Sequence, residues 1–112
     1  MDEKKSILND NFEEYYQSGL KALAEKKYNS ATTLFFKAII ALSDLMILQR
    51  EGRTPSSHSD RFRIIEEKYA DIYSILDRDF PFYQDSYTKK MDKESAELLK
   101  DDIGKIKKML KN

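Results

Sequence analysis

The chain has 112 residues, with 20 Lys+Arg balanced by 20 Asp+Glu, a single His and no Cys. This length suits one domain with one core, residues 1–112, and leaves no room for separate catalytic and cofactor domains. Zero net charge argues against a general nucleic-acid coat but leaves room for a local basic patch; the missing Cys and the lone His exclude disulfides, thiolate catalysis, Cys-based zinc and a multi-His metal site, so no metal or cofactor is expected.

The N-terminal Met-Asp-Glu-Lys-Lys-Ser is polar, and no signal-type apolar run follows it. A cytoplasmic chain is the expectation. The first helix is predicted from about Ser6 to Lys26, because Leu8, Phe12, Tyr15 or Tyr16, Leu20 and Leu23 recur at steps of three and four. Gly19 inside it weakens the helix and implies close approach of a neighbour. Tyr28-Asn29-Ser30 reads as a tight turn, with Asn29 or Ser30 capping the next helix.

That second helix, about Ser30 to Glu51, is apolar on most of its faces: Ala31, Leu34, Phe35, Phe36, Ala38, Ile39, Ile40, Ala41, Leu42, Leu45, Met46, Ile47 and Leu48 leave few polar gaps. Such a helix must be covered on most faces, so the others should pack around it. Lys37 and Asp44 lie inside it, which argues against a membrane span. Gly52 supplies a stop, and the short first connection makes the first two helices antiparallel neighbours.

The third helix is predicted to start near Ser57 to Ser59 and reach about Asp77, with Ser57 and Asp60 spaced like a capping pair. Asp79 to Met91 reads as irregular, since Pro81 lacks an amide donor and restricts Phe80; the aromatic rings there should still pack on the bundle. Asp92 can cap a last helix, about Lys93 to Lys111, whose core face is Ala96, Leu99, Ile103, Ile106 and Leu110. Alternating runs and hairpin dipeptides are missing. The fold expected is all-α, an antiparallel bundle of four main helices.

One stretch carries candidate chemistry. Arg53 lies just past one helix end, and His58 lies in the first turn of the next. The positive end of a helix dipole disfavours imidazolium, so His58 should stay neutral and available as a general base. A neighbouring arginine can hold a phosphate or stabilise the charge of a phosphorane. Metal-free RNA cleavage needs that pair, a base for the 2′-hydroxyl and a cation for the phosphate. Arg53 and His58 are therefore the candidate catalytic residues. Ser56, Ser57, Arg50 and Arg61 are candidate substrate-binding residues. The blander reading makes His58 a cap or surface residue and Arg53 a solvated charge.

Arg53-x4-His58, after a long apolar helix and Gly52, resembles the Arg-x4–6-His signature of HEPN domains. Gly52-Arg53-Thr54-Pro55-Ser56-Ser57-His58 is similar to that family's Gly, Pro, Ser/Thr-His turn. The resemblance implies an antiparallel four-helix bundle that forms a homodimer. It implies that two Arg/His pairs meet at the interface in a metal-independent ribonuclease site, with Arg53 on the phosphate and His58 as base or acid. It also implies RNA or a nucleotide as ligand and a nucleotidyltransferase-type partner, as in toxin–antitoxin or RNA-processing systems. Thr54 stands where many members have Asn, Asp or His. Asp60 stands where the antitoxin-modified subset has Tyr. A second resemblance lies in the first hairpin: Gly19, Tyr28, Ala31, Phe35 and Ala38 fall at spacings similar to a tetratricopeptide repeat, which implies a protein-interaction module. Residues 53 to 112 do not repeat that pattern, and such arrays normally need several units.

Overall fold

Tyr28–Glu51 forms the central helix, and its composition dictates the architecture. Phe35, Phe36, Ala38, Ile39, Met46 and Ile47 are all essentially buried. Covering them takes helices on several sides, and the central helix packs against the first, fourth and fifth helices of the chain. It is the one helix among the described residues long and apolar enough to cross a membrane, yet 72% of that apolar window is buried inside the bundle.

The computed structural model describes residues 3–111. Met1 and Asp2 of the polar N-terminus, and Asn112, lie outside the described residues. In chain order the helices are α1 (Glu3–Ala24), α2 (Tyr28–Glu51), α3 (His58–Lys68), α4 (Ala70–Asp85) and α5 (Lys93–Lys111). The described chain is all-helical, with no strand.

Several local rules hold as the residues dictate. A Cβ built on Gly19 would stand 2.6 Å from the Phe35 ring, so the α1–α2 contact requires glycine there. Gly52 ends α2 at φ 79°, in the left-handed region. Ser57 caps α3 by accepting from the Asp60 N–H at 3.0 Å, and Asp92 accepts from the Ser95 N–H at 2.8 Å at the start of α5.

Other expectations are corrected. The helix expected to start near Ser57 to Ser59 and reach about Asp77 is two helices, so the described residues form five helices rather than four. Tyr69 breaks it at φ −135°, ψ 64°. Its hydroxyl donates to Glu51 at 2.5 Å and its ring lies 5.4 Å from the Arg50 guanidinium, so contacts with the end of α2 fix the bend. The segment after Asp79 is helical through Asp85, with Pro81 inside α4. An interior proline costs about 3 kcal/mol. Here the flanking rings offset it: Phe80 and Tyr83 pack on Phe36 at 5.9 and 4.7 Å. The irregular segment therefore shrinks to 86–92.

Asn29 and Ser30 lie within α2, whose cap position is Lys27 and carries no side-chain cap bond. Asn29 does different work. Its amide donates to the Ser86 and Lys89 carbonyls at 2.9 and 2.7 Å and accepts from the Met91 N–H at 2.9 Å. One side chain thus satisfies three backbone groups of the α4–α5 connection.

Candidate functional site

The α2–α3 corner is built around Asp60. As the third residue of α3 it faces back over the turn, where its Oδ2 accepts from the Ser56 N–H at 2.9 Å and the Ser56 hydroxyl at 3.2 Å. Arg53 donates to the same oxygen at 2.9 Å, and Arg63 donates to Oδ1 at 2.6 Å. These donors, Arg53 first, hold the Asp60 carboxyl well below the usual carboxylate range. Ser57 is spent as the cap. The turn is therefore a closed hydrogen-bonded unit in which Arg53 is engaged, although its side chain keeps 49% exposure.

His58 opens α3 and turns the other way. Its ring packs on Phe62 and Phe80, with centroids 4.7 and 5.2 Å apart. The arginine that reaches it is Arg61, one turn along α3, whose Nη1 lies 3.1 Å from His58 Nδ1. Arg61 is fixed in turn by Asp44 of α2, through Nε at 2.6 Å and Nη2 at 2.9 Å. Asp44 was visible in the sequence as a charge inside an apolar helix; its partner is what permits it to be buried there.

The electrostatics follow. Burial lowers the His58 pKa, the Arg61 cation lowers it further, and Asp44 opposes both. The shift runs in the direction the helix dipole suggested, with desolvation first and Arg61 second as its causes. A guanidinium can only donate, so Nδ1 accepts and the ring proton resides on Nε2. In this arrangement His58 presents a hydrogen-bond donor at Nε2.

The corner adjoins a cavity of about 530 Å³ between α1, α2 and α4, which His58 and Asp44 help to line. Tyr15, Phe36, Phe80 and Tyr83 form aromatic walls, and Lys37 supplies a cation. This volume lies within the roughly 300–1,000 Å³ of small-molecule sites.

The candidate residues therefore divide. His58 and Arg61 meet beside the cavity. Arg53, Ser56 and Ser57 meet at Asp60 on the turn, and among the described residues no hydrogen bond joins Arg53 to His58. Arg50 lines a different cavity with Lys68 and Tyr69. Sequence reasoning missed Lys37 and the aromatic wall as site components, because Lys37 read only as a charge against a membrane span and the rings read as packing material. Among the described residues no three His, Asp or Glu side chains converge as a metal site would require.

Comparison with protein-family models, curated proteins and solved structures returned no match. The functional reading rests on the corner and the cavity beside it.

Proposed function

We propose that this chain is a HEPN-like helical domain of the cytoplasm that binds single-stranded RNA at the α2–α3 corner and cleaves it without a metal. The observation that carries this reading is the Arg61 contact to His58 Nδ1 at 3.1 Å, at the edge of an aromatic-walled cavity. A neutral imidazole offers its Nε2–H to a phosphate oxygen as a hydrogen-bond donor.

Cleavage asks for one rearrangement. The 2′-oxygen attacks phosphorus, the P–O5′ bond breaks, the 2′-hydroxyl proton passes to a base and the 5′-oxygen gains a proton. For His58 Nε2 to be that base, the ring proton must sit on Nδ1, which Arg61 now occupies. Arg61 touches the ring with one nitrogen and Asp44 with two, so it can release His58 while remaining anchored. Arg53, freed from Asp60, would bring the phosphate cation. Its half-exposed side chain supports a composite site completed by a second copy of the chain, the homodimer that the resemblance implies. The nucleotidyltransferase-type partner rests on that resemblance alone.

The test is cleavage of a mixed single-stranded RNA pool by purified protein with chelator present. Wild type should cut, and His58→Ala should not. The competing reading is a protein-interaction module. It draws support from the Gly19–Phe35 contact, the close hairpin packing that a tetratricopeptide-like unit uses. It predicts no RNA binding and no dependence on His58. Absence of both cleavage and RNA binding in wild type would favour it.

A further inference from the structure

The cavity beside His58 is a groove with α2 as its floor. Leu8, Asn11 and Tyr15 of α1 form one bank; His58, Phe80 and Tyr83 form the other. Its polar groups are few, and their charges do not balance. Asp44 is neutralised by the two-pronged contact with Arg61. His58 is neutral. Asn11 offers a carboxamide with both donor and acceptor. Lys37 has no ion pair among the described residues; its ammonium stands 5.9 Å from the Tyr15 ring centroid. The groove thus carries one uncompensated positive charge beside aromatic walls.

These features select a ligand. The aromatic walls suit a flat ring, and Lys37 calls for an anion attached to it. An inorganic phosphate would leave the walls unused, and an uncharged aromatic would leave Lys37 unused. A base inside a duplex could not enter, because its faces are already stacked. We propose that the groove holds one unpaired nucleotide of single-stranded RNA, with the base between the α1 and α4 aromatics, the phosphate on Lys37 and the Asn11 amide at the base edge. Stacking on aromatic side chains and a single lysine contact is a sequence-tolerant mode of single-strand recognition. The proposal rests on the RNA reading above and adds to it the groove and the residues that recognise one nucleotide.

The experiment measures binding of a fluorescent single-stranded octaribonucleotide across a salt series, with the same sequence annealed to its complement as competitor. Lys37 is exposed, so Lys37→Ala should fold normally. It should weaken binding at all salt concentrations and lower the slope of log affinity against log salt by about 0.7 to 1. Tyr15→Leu keeps the apolar contact of the half-buried ring with the core but removes the stacking face. It should weaken binding about tenfold, the order expected for one stacked base. The duplex should compete poorly. Unchanged affinity and slope in Lys37→Ala, with Tyr15→Leu also unchanged, would overturn the groove as the site. If His58→Ala still impaired RNA binding in that case, the RNA reading would stand without this one. Failure of wild type to bind the octamer would overturn both.

Discussion

Arg61 donates to His58 Nδ1 at 3.1 Å while its other two nitrogens grip Asp44 at 2.6 and 2.9 Å. One side chain thereby fixes the tautomer of the histidine and neutralises the one acid in the middle of α2. Arg61→Gln should separate these roles. Losing the cation and leaving Asp44 unopposed should raise the His58 pKa, read directly by titrating the ring protons. Two charge-assisted bonds to a largely buried carboxylate disappear, so stability should fall by about 1–3 kcal/mol in urea denaturation.

Asp60 holds Arg53 on the turn, and the restraint should be removable. Asp60→Asn weakens its hold on Arg53 and Arg63 but keeps the Ser57 cap, whose donor is a backbone N–H. If Arg53 is the phosphate cation, this variant should bind single-stranded RNA more tightly than wild type, and Asp60→Asn with Arg53→Ala should lose the gain. Acid should not mimic it under ordinary conditions. The folded carboxyl titrates well below its unfolded value, so its stabilisation is present above about pH 4 and is lost as pH falls toward the depressed folded pKa.

A buried acid pair gives the opposite pH dependence. Asp79 and Asp102 are both fully buried, and Arg78 bridges them at 3.3 and 2.5 Å. Among the described residues Asp79 Oδ2 and Asp102 Oδ1 have no hydrogen-bond partner, Lys105 Nζ standing 3.8 Å from the latter; a proton held between the two carboxyls would satisfy both. Burial, and then Asp102, pushes the Asp79 pKa up to about 8. The folded state therefore holds a proton that the unfolded chain releases near pH 3.8. This contribution to stability is fully present below that value and falls away as pH rises toward 8. Asp79→Asn supplies an amide donor to Asp102 without a titrating proton. The slope of melting temperature against pH between 5 and 8 should be shallower in the variant, and the variant should be more stable at pH 8.

The two helical glycines should respond oppositely to alanine. At Gly19 the new methyl would meet the Phe35 ring at 2.6–2.7 Å. Overpacking of this kind typically costs 1–3 kcal/mol, more than the roughly 1 kcal/mol gained in helix propensity. Gly104 is exposed in α5, and its Cβ would meet nothing within 4 Å. Gly104→Ala should therefore stabilise by close to 1 kcal/mol, measured in the same denaturation series.

What the sequence showed, and what it hid, divide by range. Local rules were legible: the apolar run of α2, the Gly52 stop, the Ser57 and Asp92 caps, and the implied close approach at Gly19. The bend at Tyr69 was not, because neither glycine nor proline marks it and its cause is a hydroxyl reaching Glu51, 18 residues away. Pro81 misled for the complementary reason, since the local penalty is plain in sequence while the Phe36 contacts that offset it are tertiary. The same holds at the site. Arg53 and His58 are close in sequence, but Arg53 is drawn to Asp60, and Arg61 meets His58 because one helical turn places i and i+3 side by side.

The central claim is that His58 is a neutral Nε2–H donor that meets RNA. As the single histidine, it gives an unambiguous imidazole nitrogen spectrum, recorded at pH 7 on labelled protein with and without a single-stranded octaribonucleotide. The account predicts a neutral ring protonated on Nε2 in the free protein, and a shift of both ring nitrogens on adding RNA. An imidazolium or Nδ1-protonated ring in the free protein, or a spectrum indifferent to saturating RNA, would contradict it.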